Sequence, residues 1–276
     1  MPATALIAGT GALPVLLADR LEAEGQSFLL AEMEGHPVEA RPGWRVEQFC
    51  IEQLAPLFER LHEAGMTRVV FAGAVARPGI DPTRIDPKTA QVLPRLVAAF
   101  QQGDDALLRT VIALFEEAGF EVVGAEAIAP ELVPGEGVLS AAQPSDADRR
   151  DAARAAEIVA GLGALDVGQG AVVAQGLCLA VETLPGTDAM LRWVAEVAGE
   201  KRPDPNGARG VFYKAPKPGQ ERRVDLPAIG PETVAAAARA GLAGVVIEAG
   251  GVMILDRAAT LAEAERAGLF LWARRP

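Results

Sequence analysis

The chain opens on a strand, a glycine turn and a helix in immediate succession, and that order restricts the folds open to it. Residues 3–8 (ATALIA) form a nearly unbroken apolar run, Gly9-Thr10-Gly11 makes the turn, and Leu13, Leu16, Leu17 and Leu21 recur at helical spacing up to Gly25. A strand with no polar alternation is one buried on both faces, the condition of a parallel sheet covered by helices. The pattern then repeats. An apolar run at 27–31, a helical stretch at 51–64, a strand at 68–72, helical stretches at 87–100 and 104–118 and a strand at 120–124 alternate in the manner of an α/β fold.

Two prolines and two glycines within residues 129–137 (APELVPGEG) mark a linker. We therefore expect a Rossmann-like parallel-sheet domain over residues 1–133 and a mixed α/β domain over 134–276, the latter bearing the charged loop described below. In the second half, a charged alanine-rich helix (146–161) precedes two strands (171–175 and 177–182) that meet at Gly176 as a hairpin. A helix follows at 188–198. Strands at 245–248 and 252–255 flank Ala249-Gly250-Gly251 as a second hairpin or close reversal, and a helix (258–267) and a strand (269–272) close the chain.

Of 276 residues, 50% are apolar and 23% charged, the balance of a globular protein rather than a disordered one. The net charge of −11 argues against a protein that grips the phosphate backbone of DNA or RNA, although a few well-placed cations can still form a local anion site. Cys50 and Cys178 stand far apart with no CxxC spacing, so we expect reduced core thiols rather than a disulfide or a zinc site. The first residues have no basic segment followed by a long apolar one, and no apolar stretch reaches the ~20 residues that cross a bilayer; a cytoplasmic location is the expectation.

Four segments could carry chemistry. The Gly9-Thr10-Gly11 turn, between a strand and a helix, can offer backbone N–H groups to a phosphate. It departs from the dinucleotide fingerprint in placing Pro14 at the third glycine, with Glu32 standing where a ribose acid would be sought. The GDDALLR stretch (103–109) places Asp104 and Asp105 at a helix start, as a cap and a dipole partner or as carboxylates near a magnesium ion or a sugar hydroxyl. Thr187 and Asp188 read equally as an ordinary cap.

The segment 213–231 packs Lys214, Lys217, Arg222, Arg223, Asp225 and four prolines into nineteen residues. Lys214 and the arginines suit a diphosphate, and Asp225 suits a metal ligand or a base for water. His36 and His62 are the only histidines. A histidine-rich two-metal centre, H-E-x-x-H, the P-loop and G-x-S-x-G are all absent, so any base must be a carboxylate, lysine or tyrosine.

Taken together, GDDALLR (103–109), LDVGQG (165–170), ETLPGTDAM (182–190), KAPKPGQERRVDLPAIGP (214–231) and EAGG (248–251) resemble the UDP-2,3-diacylglucosamine pyrophosphatases that lack histidine-rich metal motifs and serve lipid A synthesis. The resemblance spans almost the whole chain. It implies Mg²⁺-dependent hydrolysis of a lipid-linked UDP-sugar to UMP and 2,3-diacylglucosamine 1-phosphate, with water attacking the α-phosphorus. It also implies a homodimer of two-domain subunits. Such a lipid substrate requires contact with the inner face of the inner membrane, which we expect to be transient because no basic amphipathic helix is present to hold the protein there. On these motifs Asp225 is the essential residue, and Lys214, Thr187 and Asp188 stand at matching positions. Combined with the readings above, the expected assignment is Asp225 and Lys214 as catalytic residues, Gly11, Asp104, Thr187, Asp188, Arg222 and Arg223 as substrate contacts, and Asp225 and Asp188 as metal ligands. The alternative is a non-catalytic nucleotide or sugar-phosphate binding module built on the Gly9–Pro14 turn, and a dehydrogenase is a third reading.

Overall fold

A computed structural model describes residues 2–76 and 79–276. The chain divides into two compact units: one holds the chain up to Pro130 together with Glu221–Asp225, and the other holds Glu131–Gln220 and Leu226–Pro276.

The first unit runs β1 (Thr4–Ala8), α1 (Leu13–Ala23), β2 (Phe28–Met33), β3 (Val46–Phe49), α2 (Leu54–Glu63), β4 (Arg68–Ala72), α3 (Thr89–Gln102), α4 (Asp104–Glu117) and β5 (Glu121–Val122). The strands form the expected parallel sheet in the order β3-β2-β1-β4-β5. The chain reverses its direction of winding between β1 and β4, the topology that places a crevice beyond the carboxyl ends of those strands. Every residue of β1 is buried. Ala5 and Ile7 join Leu29, Ala31 and Val69 beneath Leu57 and Leu61 of α2, Leu96 of α3 and Phe115 of α4. On α1, Leu17 and Leu21 are fully buried, and the helix packs against β1 and β2.

The second unit runs β6 (Gly137–Val138), α5 (Asp146–Ala164), β7 (Gly170–Ala174), β8 (Leu177–Val181), α6 (Gly186–Glu196), β9 (Val211–Lys214), β10 (Ala228–Ile229), α7 (Pro231–Arg239), β11 (Gly244–Glu248), β12 (Met253–Ile254), α8 (Arg257–Ala267) and β13 (Phe270–Arg274). Its six-stranded mixed sheet has the order β6-β13-β11-β9-β7-β8. Alternate strand residues serve its two faces. Val172, Phe212, Val245, Ile247 and Leu271 pack with Leu191 of α6, Val234 of α7 and Ala264 of α8, whereas Val173, Val211, Tyr213, Val246 and Phe270 pack with Ala152, Ala155 and Val159 of α5. A reciprocal cap starts α5: Ser145 N–H donates to Asp148 Oδ2 at 2.9 Å, and Asp148 N–H donates to Ser145 Oγ at 3.3 Å.

Two sequence expectations change here. β7 and β8 do form a hairpin, turned by Gln175 and Gly176 in left-handed conformations (φ 54° and 78°). Ala249-Gly250-Gly251 is a close reversal, with Gly251 N–H donating to the Glu248 carbonyl at 3.1 Å, but not a hairpin. Both edges of β11 are taken by β9 and β13, so the chain after the glycines leaves the sheet and β12 pairs with β10 instead. Cys50 is buried as expected, but Cys178 is exposed because β8 is an edge strand.

Candidate functional site

In the second unit, β8, β9 and β11 run in one direction, since β7 is antiparallel to both β8 and β9, and β9 is parallel to β11. Their carboxyl ends therefore share one sheet edge, the side on which open α/β sheets bind ligands. These three strands each end on a charged residue: Glu182 just past β8, Lys214 as the last residue of β9 and Glu248 as the last of β11.

Lys214 is only 7% exposed. Its ammonium donates to Thr187 Oγ1 at 2.7 Å and lies 3.8 Å from Glu182 Oε2. Burial pushes the Lys214 amine below its ordinary 10.5, against the pull of the Glu182 and Asp188 carboxylates, which favour the charged form. Glu182 is itself 8% exposed, and its Oε2 accepts no hydrogen bond. Lysine and threonine from the KAPKPGQ and ETLPGTDAM motifs thus meet, and Asp188 acts on the ammonium through its charge, but Thr187 is not a helix cap. α6 begins after Pro185 with no side-chain cap, and the Thr187 hydroxyl is given to Lys214.

The LDVGQG segment makes room for this arrangement. A Cβ on Gly168 would stand 2.0 Å from the Glu182 carbonyl oxygen, and one on Gly170 would stand 2.6 Å from Glu182 Oε2. Between them, the Gln169 carbonyl accepts the N–H of Ala215 at 3.1 Å and so ties the segment to the residue after Lys214. In the EAGG motif, a Cβ on Gly251 would meet Glu248 Oε1 at 2.6 Å and Pro216 Cδ at 2.9 Å. Glu182 was not singled out from the sequence, where a carboxylate at a strand end reads as a surface charge. The pair of glycines at 168 and 170, opposite a strand that ends on an acid, is the signal that marks it.

The other sequence candidates belong to the first unit. Arg223 donates to Glu116 at 2.7 Å and to Glu221 at 2.9 Å, and these two carboxylates raise its already high pKa. Val224 packs into that unit's core, and the Asp225 N–H donates to the Glu221 carbonyl at 3.1 Å. Arg222 is exposed. Gly103, not Asp104, caps α4; the Asp104 side chain lies outside the described residues, while Asp105 pairs with Arg109 at 2.7 Å. Gly11 is exposed at φ 103°. Beside it, Thr10 and Ala74 exchange backbone hydrogen bonds at 2.9 Å, and a Cβ on Gly9 would meet the Ala74 oxygen at 2.4 Å. Glu32 accepts from Val38 N–H and Gln48 Nε2, so its carboxylate is occupied where a ribose acid would have to be available. Among the described residues, no group of three or more His, Cys, Asp or Glu side chains is arranged to hold a metal ion.

A parallel-sheet unit followed by a mixed-sheet unit, with a buried lysine–carboxylate pair at the carboxyl edge of the second, defines a two-unit α/β protein whose charged site suits an anionic ligand. The comparisons with known proteins give the family. The model for the LpxI N-terminal domain matches residues 3–132, and that for the LpxI C-terminal domain matches residues 135–272. The chain is 43% identical over 266 residues to UDP-2,3-diacylglucosamine pyrophosphatase LpxI of Caulobacter vibrioides, covering 96% of this chain and 95% of that protein. The chain belongs to the LpxI family.

Proposed function

We propose that this protein hydrolyses the diphosphate of UDP-2,3-diacylglucosamine to UMP and 2,3-diacylglucosamine 1-phosphate, a step of lipid A synthesis. The observation that carries this reading is the 43% identity, over nearly the full length of both chains, to a protein named for action on that substrate. Lys214 adds support: a buried ammonium at the carboxyl edge of a sheet can meet the negative charge that builds on a diphosphate as its P–O bond breaks.

In the proposed reaction, water oxygen bonds to the α-phosphorus, the bond from that phosphorus to the bridging oxygen breaks, and the bridging oxygen leaves with the lipid phosphate. Lys214, held by Thr187, binds phosphate oxygen and stabilises the growing charge. Asp225 is assigned the essential carboxylate, on the strength of its place in the RRVDLP motif. Gly11, Asp104, Arg222 and Arg223 stand as proposed substrate contacts.

Thr187 and Asp188, the polar groups beside Lys214, offer oxygen, the donor type that Mg²⁺ takes. Mg²⁺ commonly takes one or two carboxylates and completes its shell with water and substrate phosphate, so the lack of a larger acidic group among the described residues does not conflict with it. Asp188 and Asp225 are the proposed ligands, and the ion, when bound, supplies charge neutralisation at the phosphates. Glu182 Oε2 is fully enclosed and does not qualify.

No helix among the described residues is long and apolar enough to cross a membrane. A cytoplasmic homodimer that visits the anionic inner membrane surface to meet its lipid completes the proposal.

The test is release of UMP from UDP-2,3-diacylglucosamine by purified protein with Mg²⁺, run in ¹⁸O water. Label in UMP, loss of turnover with EDTA and loss of turnover in a folded Asp225→Ala variant are the expected results. Label in the lipid phosphate refutes attack at the α-phosphorus, and absence of UMP refutes the function.

A further inference from the structure

We propose that Glu182 is a positioning residue for the reaction: it fixes the Lys214 ammonium at the carboxyl edge of the second unit's sheet and acts on substrate only through that ammonium. The proposal rests on the assignment of Lys214 to the substrate phosphates.

A carboxylate buried to this degree is costly unless a cation or hydrogen-bond donors compensate it. Glu182 Oε2 has no hydrogen-bond donor, and the Lys214 ammonium faces it at 3.8 Å. The same oxygen is fully buried, and a Cβ added at Gly170 would stand 2.6 Å from it and 3.0 Å from the Phe212 ring edge, so the glycine leaves the room it occupies. Oε2 is therefore out of reach of a ligand, and any contribution this oxygen makes passes through its neighbour.

The neighbour is held from two directions. An ammonium has three N–H donors. Thr187 Oγ1 takes one at 2.7 Å, the Glu182 charge draws a second, and the third is left to aim at a phosphate oxygen. Without Glu182, the amine keeps its hydroxyl acceptor but loses the charge that balances it and fixes its rotation about the Thr187 bond. Such a loss falls on the stabilisation of developing charge more than on ground-state binding.

The experiment is a double-mutant cycle on UMP release with Mg²⁺, using wild type, Glu182→Gln, Lys214→Met and the double variant, with thermal unfolding of each. Glu182→Gln is expected to lower kcat about 10- to 100-fold with KM changed less than about threefold. In the Lys214→Met background the same change is expected to cost less than about threefold, because the residue through which it acts is gone. Wild-type kcat in Glu182→Gln, or losses that multiply in the double variant, overturns the proposal. If Glu182→Gln does not fold, Glu182→Asp, which keeps the charge but withdraws it from Lys214, takes its place in the cycle with the same criteria. A wild-type protein that releases no UMP overturns the underlying assignment instead, so the two failures are distinguishable.

Discussion

Replacing Gly168 with alanine tests whether the LDVGQG motif exists to seat Glu182. Gly168 is not in the left-handed region, so its backbone accepts alanine and the cost is one of contact alone. The added Cβ would stand 2.0 Å from the Glu182 carbonyl oxygen and 2.7 Å from its carbon, where ordinary contact begins near 3.4 Å. Both are main-chain atoms, so no side chain can swing aside. The strand end must move by about 1 Å or more, an overpacking of about 1–3 kcal/mol. In a protein of this size that lowers Tm by roughly 3–10 °C. The displaced segment carries Glu182 and leads within a few residues to Thr187, so Lys214 loses its alignment; a shift of about 1 Å near reacting groups costs on the order of 10²-fold in rate. Thermal unfolding and kcat/KM for UMP release measure the two effects. Gly161→Ala is the control: this glycine lies within α5, a Cβ there meets nothing within 4 Å, and the change should stabilise by about 0.5–1 kcal/mol. A Gly168→Ala protein with wild-type Tm and kcat/KM would refute the reasoning.

Three further outcomes follow from the same structure. Burial holds the folded pKa of Lys214 below 10.5, so between that lowered value and 10.5 the unfolded chain binds the extra proton and folding gains as pH rises. Wild type should therefore climb in stability relative to Lys214→Met across this window and level off above pH 10.5; a flat difference by urea denaturation would count against it. Ser145→Ala removes one half of the reciprocal cap of α5 and should cost about 1 kcal/mol, read as a lower urea midpoint at unchanged slope. Gly170→Ala brings a Cβ to 2.6 Å from Glu182 Oε2 without removing its charge, and should lower kcat in the same direction as Glu182→Gln; unchanged kcat would mean that the carboxylate tolerates displacement.

The sequence conveyed best what local physics decides. The run from Thr4 to Ala8 is buried on both faces and reads as a central parallel strand without help from elsewhere, and the Gln175-Gly176 turn declares its hairpin. Elements of two residues such as β6 and β10 leave no period to detect, whereas β5 and β12 sit inside the apolar runs at 120–124 and 252–255. At Ala249-Gly250-Gly251 the reversal is legible but the strand pairing is not, because apolar runs on either side of glycines look alike whether they pair with each other or with distant strands. At the site, Lys214 and Thr187 stood out as polar types in distinctive motifs, but their contact spans 27 positions and no spacing rule reveals it. The signal for Glu182 was divided between its own motif and two glycines of another, and the distances across that gap exist only in the folded chain.

The first unit is not a continuous stretch of polypeptide: Glu221–Asp225, far along the chain, completes it. A fragment ending at Pro130 would lack Val224 in its core and would leave Glu116 without the guanidinium of Arg223. Its boundary in the gene and its boundary in space therefore differ. Grafting, separate expression or circular permutation of this unit has to carry the pentapeptide along, and a short synthetic peptide with the sequence ERRVD is the natural reagent for restoring a truncated one.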